Sequence, residues 1–289
     1  MPEQLLQLPP LISASAAEKI LAAIENGASL VEVSLDLNLS REKITLKPGV
    51  AVLKGIDVGV DLLRKILKKT AAVFAVYEDG LEAVEIRDGG YAKLVPTEGA
   101  PTIELSGIRM HRTAGIDPFE DARLKAAAVV QPGDIVLDTC GGIGYTATWA
   151  KRIGAERVVS VEVNPVVIEL RRLNPWSREY LEDSSIEKQE SDVADLVQSF
   201  PDGSFSCILH DPPRFSLAGD LYGTEFIGQT RRVLVPGGRL MFYTGEPYSR
   251  GRGRDFVAGV SRRLESAGFR ANWKKELQAF IGSLARVRK

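Results

Sequence analysis

Apolar and polar residues change rhythm about a third of the way along the chain. Residues 16–26, AAEKILAAIEN, have helical periodicity, and Gly27 supplies a stop. LVEVSLDL alternates as a half-buried strand does, and NLSREKITL reads as a short helical turn followed by a strand. Residues 57–69, DVGVDLLRKILKK, predict an amphipathic helix capped by Asp57. AAVFAVYEDG, EAVEIRDGG and YAKLVPT are extended runs punctuated by Asp-Gly and Gly-Gly turns. This first part is α+β. VPTEGAPTIEL, with two prolines and a glycine, is the expected linker, which sets domains at residues 1–105 and 106–289.

After the linker, strands and helices alternate. DPFEDARLKAAAVV, YTATWAKRI, PVVIELRRL, EFIGQTRRVL and DFVAGVSRRLESAG read as helices. DIVLD, RVVSVEV, CILHD and RLMFYTG read as strands, and FRANWKKEL and AFIGSLARV close the chain as extended runs. Continuous apolar strands alternating with helices predict a parallel sheet covered on both faces. Such sheets bind ligands at the carboxyl ends of their strands, near the point where strand order reverses.

Composition narrows the class. The 289 residues are 44% hydrophobic and 26% charged, as in soluble globular proteins. No apolar run approaches the roughly 18 residues of a membrane span, and the N-terminus lacks a signal peptide's basic start and cleavage site. A cytoplasmic protein is expected, with no membrane partner. Cys140, Cys207, His111 and His210 are the only cysteines and histidines, so neither a disulfide framework nor a His/Cys metal cluster is expected. The net charge is −1, but residues 250–289 hold 11 Lys/Arg against 3 Asp/Glu, a local charge of +8.

The stretch DTCGGIGYTATWA, residues 138–150, sits where the first strand of the alternating region meets a helix. A glycine-rich turn there lets backbone approach a ligand and aims helix N–H groups at it. Its spacing differs from G-x-G-x-x-G, and it lacks the Gly-Lys-Ser/Thr of a P-loop. Asp138, Cys140, Gly142 and Gly144 resemble the D/E-x-G-x-G-x-G loop of class I S-adenosylmethionine (SAM) dependent methyltransferases, with Cys140 in place of the first glycine. Glu162 ends the next strand, where an acidic residue roughly 20 positions on accepts ribose hydroxyls. The resemblance places Asp192 near the adenine amino group; a solvated helix cap is the other reading of that residue. It covers residues 106–289 and implies SAM as cofactor and a seven-stranded, Rossmann-like sheet with a reversed last strand.

CILHDPPRFS, residues 207–216, ends the fourth strand of that region, a candidate third strand preceding ESDVADL. Alone, the proline pair reads equally as a turn that stops a strand. Together with the loop, Asp211-Pro212-Pro213 resembles the D/N/S-P-P-aromatic motif of amino-methyltransferases. There Asp211 and the Pro212 carbonyl would accept the two N–H hydrogens of an exocyclic base amine, freeing its lone pair. Arg214 takes the aromatic slot and Phe215 follows, and either can stack on a base. His111 and Arg112, in IRMHRTAGIDPFEDA, are candidates for the methionine carboxylate or a target phosphate, or belong to a linker. These strings together look like archaeal predicted methyltransferases.

Arg250 and Arg252, in YSRGRGRDF, offer phosphate contacts that position a strand without reading it; a solvated surface is the alternative. RNA is the expected partner, because an unpaired base spares the unstacking cost, and cytosine N4 is the first choice of acceptor. Four readings compete: RNA N-methylation (or methylation of a protein or small-molecule amine), aminopropyl transfer to a polyamine, nicotinamide oxidoreduction, and a binding module. A 5-methylcytosine mechanism is disfavoured for want of a placed cysteine nucleophile.

Overall fold

The computed structural model describes residues 8–215, 217–245 and 252–285, with the backbone alone for 252–254. The chain divides into two compact units, residues 1–118 with 166–178, and residues 119–165 with 179–289.

In the first unit, β1 (Leu11–Ser13) runs into helix α1 (Ala14–Glu25), whose first turn is capped by the Ser13 hydroxyl accepting from the Ala16 N–H. A four-stranded antiparallel meander follows: β2 (Leu30–Val33), β3 (Glu42–Lys47), β4 (Val50–Leu53) and β5 (Ile56–Gly59). Then come α2 (Val60–Leu67), β6 (Val73–Tyr77) and β7 (Gly80–Ala83), with β6 paired to both β1 and β7. β8 (Glu85–Ile86), β9 (Ala92–Val95), β10 (Thr102–Leu105) and β11 (Ile108–Arg109) form a third antiparallel sheet. One core joins α1 and α2 to the first two of these sheets through Ile12, Ala17, Ile20, Leu35, Leu53, Leu63 and Ile66.

Two expectations change here. Residues 56–59 are strand, and the helix begins three residues later than expected, with Gly59 as its cap. Lys54 and Gly55, at φ of 46° and 91°, make a two-residue turn that folds β5 onto β4. Two consecutive positive φ values suit a tight hairpin, and Asp57 thereby reaches across β4 to an ion pair with Lys47 of β3 at 3.1 Å. The proline-rich segment expected as a linker is the connection between β9 and β10, paired Val95 to Thr102. Its prolines fall outside the ladder, where no N–H is needed. Residue 105, the expected junction, pairs with Ile108 inside the β10–β11 hairpin.

The second unit holds α3 (Pro118–Ala127), β12 (Ile135–Asp138), α4 (Tyr145–Ile153) and β13 (Arg157–Val161). α5 (Pro165–Arg172) lies in the stretch grouped with the first unit, and after it the second unit resumes with α6 (Arg178–Glu182), β14 (Ile186–Gln189), α7 (Val193–Ser199), β15 (Phe205–His210) and α8 (Thr224–Val233). β16 (Leu234–Tyr243), α9 (Arg252–Ser266), β17 (Phe269–Lys274) and β18 (Ala279–Leu284) complete it. The strands form one seven-stranded sheet in the order β14-β13-β12-β15-β16-β18-β17. β18 is antiparallel to β16, as expected for the last strand.

Alternation along each strand builds two cores. Leu137, Val159, Ile208, Leu240 and Phe242 face α7, α8 and α9. Val136, Val158, Cys207, Leu209 and Met241 face Ala126 of α3 and Ala147 and Ala150 of α4. The sheet is thus buried on both faces, and its ligand-accessible features lie at strand ends and in the connections after them.

Candidate active site

β12 pairs with β13 on one side and β15 on the other, so strand order reverses at its carboxyl end. A crevice opens at such a point because the connections leaving the two sides diverge. The Thr139 N–H donates to the Leu209 carbonyl at 3.0 Å, which ties the ends of β12 and β15 together. The glycine loop leaves from one of these ends and the Asp-Pro-Pro segment from the other.

The loop's shape follows from its residues. Gly142 and Gly144 have φ of 52° and 90°, a region that costs residues with a Cβ. At Gly144 space is also short, since a Cβ there would lie 2.4 Å from Cγ of the buried Tyr180 ring. Cys140, in the first glycine's place, is not among the residues with positive φ, so its side chain imposes no backbone strain. Burial, then the charges of Glu162, Asp138 and Asp211, push its thiol well above the ordinary range, and it stays protonated near neutrality.

The buried Asp138 carboxylate accepts from Thr146 Oγ1 at 3.1 Å and Ser160 Oγ at 2.9 Å, clamping α4 and β13 to the start of the loop. Glu162 accepts from the Gly142 N–H at 2.8 Å and the Asn164 N–H at 2.9 Å. Each carboxylate oxygen retains a further lone pair, so Glu162 can still receive two hydroxyls. Asp192 is exposed and caps α7 through the Ala194 N–H at 2.8 Å, which is the helix-cap reading. Glu162 and the cleared loop suit the ribose and backbone approach of a nucleoside donor such as SAM.

On the β15 side, His210 is fully buried, and burial lowers its pKa to about 3. Its Nε2 lies 3.1 Å from the Leu221 carbonyl, which can only accept, so Nε2 carries the hydrogen and Nδ1 accepts from the Thr139 hydroxyl at 2.7 Å. This histidine is a neutral packing group between Phe226 and Phe242. Asp211, next along, is ion-paired to Lys125 Nζ at 2.7 Å. Lys125 also meets Asp121 at 2.9 Å and lies 4.0 Å from the centre of the Tyr243 ring. Burial alone would lower the lysine's pKa, but Asp211 and Asp121 more than offset it and hold it above its ordinary range.

The Tyr222 hydroxyl donates to the Pro213 carbonyl at 2.9 Å. Burial, then the Asp211 charge, raises the Tyr222 pKa, so this donor stays neutral. The Pro212 carbonyl receives no hydrogen bond among the described residues. Arg214 is exposed and opens a turn closed by the Leu217 N–H at 2.7 Å. Phe215 is 54% exposed and packs on Tyr222 and Phe256. With Arg262 and Arg263 these aromatics line an open cleft of about 420 Å³. A larger cavity, about 500 Å³, lies in the first unit beside Ser13, Lys19 and Arg41.

The second unit therefore gathers Asp138, Cys140, Gly142, Gly144 and Glu162 with Asp211, Pro212, Pro213 and Phe215. His111 and Arg112 belong to the first unit, where His111 Nδ1 lies 2.9 Å from the Thr102 hydroxyl. Arg250 lies outside the described residues, as does the side chain of Arg252. Sequence reasoning missed Lys125: in DARLK it reads as half of an exposed i,i+4 ion pair with Asp121. Among the described residues, no group of three or more His, Cys, Asp or Glu side chains could hold a metal ion. Nor is any helix long and apolar enough to cross a membrane.

Comparison with known proteins agrees with this geometry. Residues 122–249 match the family model described as methyltransferase small domain. The chain is 44% identical over 242 residues to the uncharacterized protein MJ1233 of Methanocaldococcus jannaschii, covering 82% of this chain and 83% of that protein. It is 32% identical over 121 residues to a polyamine aminopropyltransferase of Mycobacterium tuberculosis, covering 39% of this chain but 23% of that protein. A spermidine synthase solved with the transition state analogue AdoDATO has the same fold, with a TM-score of 0.59 at 18% identity over 75% of this chain and 76% of its own. The chain, whose residues 122–249 match the methyltransferase small domain and whose sheet has the seven-stranded Rossmann-like order, belongs to the class I, SAM-dependent methyltransferases.

Proposed function

We propose that the enzyme methylates an exocyclic base amine in RNA, in ribosomal or transfer RNA, with cytosine N4 as the first candidate. The observation that carries this reading is the pairing of a charged acceptor, Asp211, with the unoccupied backbone acceptor of Pro212 at the switch point of the sheet. An amine conjugated to a ring is a poor nucleophile. Two acceptors on its N–H bonds draw the nitrogen toward tetrahedral geometry and expose its lone pair. Bound SAM would supply an electrophilic methyl on a sulfonium: the amine lone pair would take it as the C–S bond breaks, S-adenosylhomocysteine would leave, and the methylated nitrogen would give up one hydrogen as a proton to Asp211. Glu162 would hold the ribose, the glycine loop would admit the rest of the donor, and Asp192 would stand near the adenine. In-line transfer then depends mainly on positioning. Phe215, with Arg214 beside it, offers a face on which a base can stack, and Arg262 and Arg263 line the adjoining cleft. His111, Arg112, Arg250 and Arg252 are proposed contacts for the RNA backbone, the N-terminal unit a substrate-recognition domain, and the cytoplasm the place of action.

Aminopropyl transfer to a polyamine is the second reading, favoured by the likeness to aminopropyltransferases. Arg214, in the segment that follows Asp211, and Arg262 and Arg263, which line the adjoining cleft, weigh against it, because the ammonium groups of a polyamine would meet like charge there. The test is nucleoside mass spectrometry after incubating RNA with methyl-deuterated SAM. A labelled N-methylated nucleoside should form with the wild type and be lost in Asp211→Ala. Label that persists in the variant would remove Asp211 from the chemistry, and label absent from RNA in both would remove RNA.

A further inference from the structure

We infer that Lys125 is a positioning residue for the transfer proposed above: it fixes the rotamer of Asp211 and keeps it a carboxylate, so that the residue can only accept from the amine. The inference rests on that reading for its functional part alone. Lys125 lies on α3 between Ala122 and Ala126, on a face that otherwise packs into the core. Its side chain is 4% exposed. Burying an ammonium costs several kcal/mol before any pairing, and an apolar side chain would suit the packing alone.

What the charge accomplishes is visible in its partners. Asp121, one turn earlier on the same helix, anchors the ammonium from one side at 2.9 Å, and the Tyr243 ring of β16 lies against it at 4.0 Å. So held, Lys125 reaches Asp211 Oδ2 at 2.7 Å. The titratable groups around this cluster are Asp121 from α3, Tyr243 from β16, Tyr222 from the segment after Pro213, and Cys140 from the glycine loop. Tyr222 and Cys140 are neutral, and Lys125 brings a positive charge that meets both Asp121 and Asp211. A protonated Asp211 would present an O–H donor to an amine that needs acceptors. Without Lys125, the negative charge of Asp121 would favour that protonated form.

Two substitutions of opposite sign test this in the full-length chain. In Lys125→Met, the ¹³C carboxyl signal of Asp211, assigned with Asp211→Asn, should titrate at higher pH than in the wild type. In Asp121→Asn, which removes a like charge, it should titrate at lower pH. Neither readout needs an RNA substrate. With RNA, Lys125→Met should lower kcat about 10- to 100-fold at pH 7 and move the acid limb of the pH–rate profile upward, with the donor Kd unchanged. Lys125→Arg should restore most of the rate. An Asp211 titration that stays in place in both variants overturns the inference, as does an acid limb unmoved in Lys125→Met. If RNA takes no methyl group even from the wild type, the substrate reading fails while the carboxyl titrations still judge Lys125. If Lys125→Met does not fold, Asp121→Asn decides the sign alone.

Discussion

Gly144→Ala should be among the most damaging single-methyl additions in the second unit, and its cost can be worked from the coordinates. The residue has φ of 90°, and holding alanine in left-handed backbone costs about 1–2 kcal/mol. The added Cβ would lie 2.4, 2.6 and 2.8 Å from Cγ, Cδ2 and Cβ of Tyr180. That ring cannot step aside: it is fully buried against the core that contains Ala147, Ala150 and Ile186. Forcing a methyl into such packing costs about 1–3 kcal/mol more, for a total of about 2–5 kcal/mol. Gly142→Ala is the internal control. It has left-handed φ of 52°, but its nearest neighbour is the Cys140 carbonyl at 4.0 Å, so only the backbone cost of about 1–2 kcal/mol applies. Urea unfolding of the wild type and both variants, followed by tryptophan fluorescence, gives the two costs side by side. The reasoning is refuted if Gly144→Ala destabilises no more than Gly142→Ala.

Two further outcomes are expected. His210 is neutral in the fold with a pKa lowered to about 3 by burial, whereas in the unfolded chain it gains a proton near pH 6.5. Between these values the unfolded state binds more protons, so stability is full above pH 6.5 and falls as pH drops toward 3. His210→Phe should flatten that part of the decline in denaturant titrations run at several pH values; an unchanged slope contradicts a neutral His210. Asp138→Ala should cost about 1–3 kcal/mol or more by leaving the hydroxyls of Thr146 and Ser160 without their acceptor. Asp138→Asn should recover part of the loss in the same assay, and equal losses would mean that the hydrogen bonds are not what Asp138 contributes.

Much of the second unit was legible because its signals are local. The alternation of apolar strands with helices, the glycine loop between IVLD and YTATWAKRI, and the acidic end of RVVSVEV each need only a dozen neighbouring residues. The first unit was harder for the same reason. At residues 56–59 a helical apolar pattern overlaps a strand, and the decisive signal, the Lys54-Gly55 turn, sits outside that segment. Val95 and Thr102 pair across a proline-rich loop that reads as a linker until β9 and β10 are set side by side. Lys125 was invisible for a different reason. An Asp and a Lys four apart look solvent-exposed on any helix, and only the partner from the end of β15, 86 residues away, shows that this pair is internal.

The central claim is that the donor lies across the ends of β12 and β13, with its methyl group facing an amine held at Asp211. A crystal structure of the enzyme with bound SAM tests this most directly. The account predicts ribose hydroxyls on Glu162, the sulfonium beside the loop of residues 139–144, and the methyl carbon roughly 5–6 Å from the Asp211 carboxylate, room for an acceptor nitrogen in line. A donor seated away from Glu162, or a methyl group turned from Asp211 with protein packed between them, would contradict it.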